Sequence, residues 1–89
     1  MQAPLKEKND IKIFIIYQLK NLNYPLDFNT ISDIVVQDEF VNYFDFAECF
    51  AELLDIGNIE QLPEKHDELK NIPDLYRITA NGIQVVEQL

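Results

Sequence analysis

Apolar side chains recur along this chain in two periods, one helical and one of strands, and the switches between them lay out the whole fold. Ile11, Ile15, Leu19 and Leu22 stand at helical spacing with Phe14 beside them, which predicts a first helix capped by Asn9 or Asp10 and stopped at Asn23. The run Ile13-Phe14-Ile15-Ile16-Tyr17 is strand-like in composition, but a dozen periodic residues exceed the usual strand. Tyr24-Pro25-Leu26 is extended, because proline disfavours the helical region for the residue before it, and has room for a short strand. Asp27 or Asn29 then caps a second helix to about Asp38, with Phe28, Ile31, Ile34 and Val35 on one face. A turn from Glu39 leads to Asn42, the cap of a third helix closed by Gly57 in the left-handed position. Asn58 to Leu62 and Leu75 to Ile78 alternate as half-buried strands do, with a polar, proline-flanked loop from Pro63 to Asp74 between them, so they predict a hairpin. Thr79 caps a last helix, Ala80 to Leu89, with Ile83 and Val86 inward and Val85 and Leu89 as further apolar positions. The expected fold is mostly α with a small β-sheet, an α+β domain over residues 9–89 preceded by a frayed lead-in over 1–8.

The third helix sorts most sharply. Tyr43, Phe46, Ala47, Phe50, Leu53 and Leu54 share one side, and Asp45, Glu48, Glu52 and Asp55 share the other, with no Lys or Arg between them. The spacing therefore predicts a buried apolar face and an exposed acidic stripe, with Phe44 on the flank as a candidate interface residue. The aromatics Phe40, Tyr43, Phe44, Phe46 and Phe50 read as core in preference to a base-stacking platform, because Phe46 and Phe50 fall on the buried side.

Charge narrows the partners. Sixteen acidic against seven basic side chains give a formal net charge of −9, which opposes nonspecific attraction to nucleic acid or anionic lipid and favours a basic protein surface. The longest apolar run is too short to span a bilayer, and the N-terminal residues lack the apolar core of a signal peptide, so a cytoplasmic chain without membrane association is expected. Cys49 is the sole cysteine, which excludes an internal disulfide and fits a reducing compartment.

The succession helix, short strand, helix, turn, helix, strand, loop, strand, helix resembles a winged helix-turn-helix domain. Leu53-Leu54-Asp55-Ile56-Gly57-Asn58-Ile59 is similar to the passage from recognition helix to first wing strand in regulators of the MarR and PadR type. Leu75-Tyr76-Arg77-Ile78-Thr79-Ala80-Asn81-Gly82 resembles their second wing strand running into a Thr-capped helix. Together with Pro25-Leu26 and Asn42-Tyr43-Phe44, this is similar to a winged-helix family catalogued as a domain of unknown function and often labelled a transcriptional regulator. The resemblance implies a three-helix core with a β-hairpin wing, and a possible DNA-binding role. It carries over few DNA-contacting residues: Asp45, Glu48, Glu52 and Asp55 stand where such regulators present basic or polar side chains, and the wing loop has Glu64, Asp67, Glu68 and Asp74 against Lys65 and Lys70. Members of the family also tend to continue past the last helix, so this chain reads as a short relative or an excised domain.

No enzymatic chemistry, cofactor or metal site is expected. His66 has no nucleophile beside it, Cys49 lies among carboxylates that oppose a thiolate, and neither Gly57 nor Gly82 belongs to a phosphate-cradling loop. Asp45, Glu48 and Glu52 on one helix face supply too few oxygens for a hard cation without a dedicated loop. Lys65, Lys70 and Arg77, with the lysines Lys6, Lys8, Lys12 and Lys20 near the front of the chain, are the candidate backbone-phosphate contacts. Val85, Val86 and Leu89 are the candidate contacts of a homodimer. Three functions follow: a winged-helix regulator that binds DNA unconventionally, a winged helix used for protein interaction or dimerisation, and an acidic mimic of DNA.

Overall fold

Asn42 closes the amides that open the third helix, accepting from the N–H groups of Phe44 at 2.8 Å and Asp45 at 3.4 Å, and capping of this local kind sets most of the element boundaries. The structure is a computed structural model that describes residues 7–37, 41–63 and 73–88. In order, it contains α1 (Lys8–Leu22), β1 (Leu26–Asp27), α2 (Phe28–Val36), α3 (Tyr43–Asp55), β2 (Ile59–Gln61), β3 (Leu75–Ile78) and α4 (Ala80–Glu87). The fold is α+β, as its hydrophobic periodicity predicts.

Helix α1 starts earlier than expected. Its cap is Glu7, with no side-chain hydrogen bond, so Asn9 and Asp10 lie inside the first turn instead of capping it. An acidic residue at that place still favours the positive end of the helix dipole. The predicted stop at Asn23 is present, with φ 55 and the backbone N–H on the carbonyl of Leu19. Asp27 caps α2 through the amide and hydroxyl of Thr30, and α2 ends at Val36, short of the expected Asp38. At the end of α3, the N–H groups of Asn58 and Gly57 bond to the carbonyls of Leu53 and Leu54. Gly57 has φ 82, so this is a Schellman closure that a side chain would strain.

Strands β2 and β3 form the expected antiparallel hairpin pair, and β1 joins the far side of β3, giving the sheet order β1-β3-β2. Thr79 couples the hairpin region to α4. Its hydroxyl donates to the carbonyl of Gly57 at 2.6 Å and accepts from the N–H of Gly82 at 3.1 Å, so one side chain joins the end of α3 to the start of α4. Gly82 permits that approach: a Cβ there would lie 2.3 Å from the carbonyl oxygen of Asn58.

The core collects Ile11, Ile15, Ile16 and Leu19 of α1, Ile31 and Val35 of α2, Phe46, Cys49, Phe50 and Leu53 of α3, and Leu26, Val41, Ile59 and Val86. Aromatic rings run through it in contact: Phe28 meets Phe50 with centroids 5.0 Å apart, and Phe50 meets Tyr76 of β3 at 4.9 Å, both edge to face. These contacts fix α3 between α2 and the sheet.

Candidate functional face of the third helix

Both neighbours of α3 determine which of its side chains reach solvent. Helix α2 supplies Phe28, whose ring contacts Phe46 and Phe50. From the other side comes α1, where the Cys49 thiol donates to the carbonyl of Lys8 at 3.7 Å. The buried side chains are therefore Phe46, Cys49, Phe50 and Leu53, a stripe turned roughly 50° toward Cys49 from the one expected, at about 100° per residue.

That rotation corrects several expectations. Tyr43, expected inside, is 46% exposed, and Leu54 is only partly buried. Cys49, expected at the edge of the core, is at its centre. Burial, and then the charge of Glu52, push its thiol above the ordinary 9.0, which makes it a poor nucleophile. Asp45 and Glu52, expected to be exposed, are partly covered, whereas Glu48 and Asp55 are exposed. The outward line of α3 is therefore Phe44, Glu48, Ala51 and Asp55, an aromatic and a small residue alternating with two carboxylates. It is not a continuous acidic stripe.

Nor are the carboxylates without cations. Lys8 pairs with Glu48, and Lys12 Nζ lies 3.4 Å from Glu52 Oε2. The hydrogen bond to Glu48 holds the Lys8 ammonium above its ordinary pKa. Lys8 and Lys12, two of the α1 lysines considered as phosphate contacts, thus serve the third helix of their own chain. Arg77 is engaged likewise: it stands opposite Glu60 in the β2–β3 register, and its Nε donates to Glu60 Oε1 at 2.6 Å. Lys65 and Lys70, together with Glu64, His66, Asp67 and Glu68, lie outside the described residues, whereas Asp74 of the wing loop is described and exposed.

Phe44 is the most exposed large apolar side chain among the described residues, at 77%. Its ring lies 5.7 Å from that of Tyr43, edge on, and Tyr43 in turn faces Phe28 at 6.4 Å. The surface aromatic therefore continues the core rings outward. Beside it, Asn29, Ser32, Asp33, Val36, Gln37 and Tyr43 line an open groove of ≈ 800 Å³ between α2 and the start of α3. On α4, Val86 packs into the core and Val85 is 37% exposed, while Leu89 lies outside the described residues. Among the described residues, no group of three or more His, Cys, Asp or Glu side chains is placed to hold a metal ion, and no helix is long and apolar enough to cross a membrane.

A family model described as a domain of unknown function, DUF4364, matches residues 11–89. The chain belongs to the DUF4364 family. Its matched span takes in α1 from the buried Ile11 onward and every later element. No curated protein and no solved structure matches the chain.

Proposed function

We propose that this DUF4364 domain is a winged helix of the transcriptional-regulator type whose third helix meets protein instead of the DNA major groove. The winged-helix reading is supported by the sheet order, in which a short strand ahead of the second helix pairs with the far strand of a hairpin that follows the third. The observation that carries the protein-facing reading is the outward line of α3: Phe44 stands 77% exposed at its head, and the groups that follow are Glu48, Ala51 and Asp55. DNA recognition requires donors and cations at such positions, and here Lys8 and Lys12 are already paired with carboxylates of α3. An aromatic anchor of this kind is characteristic of protein contact sites.

The test is anisotropy of a labelled random duplex titrated with the full chain at two salt concentrations. The expected result is binding weaker than the usual nonspecific range of ~10⁻⁴ to 10⁻⁶ M at physiological salt. Tighter binding that weakens steeply with salt and is lost in Arg77→Ala would return the domain to the DNA-binding class.

A further inference from the structure

We infer that the closing turn of α3 and helix α4 open and close as one unit, latched by Thr79, apart from the core built by α1, α2 and the body of α3. Thr79 bonds in both directions. Toward α3, its hydroxyl donates to the carbonyl of Gly57 at 2.6 Å and its N–H to the carbonyl of Asn58 at 3.0 Å. The N–H groups of those same two residues bond to Leu54 and Leu53 at the end of α3. Toward α4, the hydroxyl oxygen accepts from the N–H of Gly82 at 3.1 Å and the Thr79 carbonyl from that of Ile83 at 2.9 Å. Gly82 also lies so close to the Asn58 carbonyl that a Cβ would stand 2.3 Å from its oxygen, so a displacement of α4 must carry the turn with it.

The unit has natural limits. Helix α4 has eight residues, with Gly82 and Val86 buried, and a helix of that length does not hold its shape in water unaided. The turn runs between Leu53 and Ile59, each 1% exposed, while residues 54–58 all retain access to solvent, so an opening can stop at those two anchors. An open cleft lined by Leu54, Gly57, Thr79 and Asn81 brings water to the latch. Groups freed there are rehydrated instead of being left unpaired in the core, which is what makes a local opening inexpensive. The coupling is reciprocal. A contact that holds α4 down steadies the last turn of α3, where Asp55 and Ile56 are exposed, and a contact on that turn steadies α4.

Native-state hydrogen exchange of the full chain in low urea, read amide by amide, tests this. The amides of Gly57, Asn58, Gly82 and Ile83 should share one opening free energy and one urea dependence, both below those of Ile15 and Phe50. Gln84→Gly, at an exposed position of α4, weakens that helix alone and should speed all four amides together, by about threefold. In a Thr79→Val background the same substitution should still speed Gly82 and Ile83 but no longer carry Gly57 and Asn58 with them, and Thr79→Ser, which keeps the hydroxyl, should retain the joint response. Gly57 and Asn58 amides that keep their parental rates in Gln84→Gly, or that are as protected as Phe50 in the parent, overturn the inference. An undiminished joint response in Thr79→Val overturns the part assigned to Thr79.

Discussion

Lys12 of α1 holds its Nζ 3.4 Å from Oε2 of Glu52 on α3, and with the neighbouring Lys8–Glu48 pair it ties the basic edge of the first helix to the acidic edge of the third. The contact at Lys12 is one of charge without hydrogen-bond geometry, and both side chains retain access to water. A double-mutant cycle with Lys12→Met and Glu52→Gln should give a coupling of about 0.2 to 1 kcal/mol that shrinks in molar salt. The same pairs bear on DNA. Neutralising Glu48 and Glu52 together to Gln releases both lysines, so duplex affinity should rise, and the slope of log affinity against log salt should steepen by about 0.9 for each phosphate that a released lysine neutralises. An unchanged slope would show that these lysines do not point where a duplex can reach them.

Phe44 and Phe50 are the same residue on the same helix with opposite surroundings, and their truncations should separate accordingly. Phe50 is buried against Phe28, Phe46 and Tyr76, so Phe50→Ala should cost ~3 to 5 kcal/mol in urea unfolding. Phe44→Ala should stay within about 0.5 kcal/mol of the parent. Equal effects would mean that the exposed ring is a structural element, not a contact surface.

Gly82 is required by space. A Cβ there meets the carbonyl oxygen of Asn58 at 2.3 Å and Ile78 Cγ1 at 2.6 Å, and a backbone carbonyl held by the Thr79 N–H at 3.0 Å cannot yield freely. Gly82→Ala should therefore lose ~1 to 3 kcal/mol despite alanine's better helix propensity. Gly57 has open space around it but φ 82, so Gly57→Ala should cost about 1 to 2 kcal/mol through backbone strain alone. Thermal unfolding of the two variants checks both values.

Thr79→Val keeps the shape of the side chain while removing the hydroxyl that serves Gly57 and Gly82. The loss should be about 1 to 2 kcal/mol, accompanied by faster hydrogen exchange at the Gly82 amide. Unaltered exchange there would show that α4 is held by Val86 packing and not by its cap.

Asp27 supplies a pH dependence with a definite sign. The hydrogen bond from the Thr30 hydroxyl, reinforced by backbone amides, holds its carboxyl below the ordinary 3.8. A folded pKa below the unfolded one means the contribution is complete above the unfolded value and is lost as pH falls through the folded value. Stability of the parent should therefore drop below about pH 4 more steeply than that of Asp27→Asn, which retains the cap and loses the titration. Parallel pH profiles would exclude Asp27 as a source of the acid sensitivity.

The elements were legible in the chain because their boundaries rest on contacts between near neighbours. Asp27, Asn42 and Thr79 each accept from amides two or three residues on, and Asn23 and Gly57 end helices through their own positive φ. Such groups sit together whatever the rest of the chain does. The functional face was legible only in part, since periodicity gives the existence of an apolar stripe on α3 but not its centre. That centre depends on α1, which covers the edge at Cys49 and so moves Tyr43 outward and Glu52 partly inward. The cation partners of the acidic residues depend on it too: Lys8 and Glu48 are separated by 40 positions in sequence, and only the packing of two helices across the core brings their charges together.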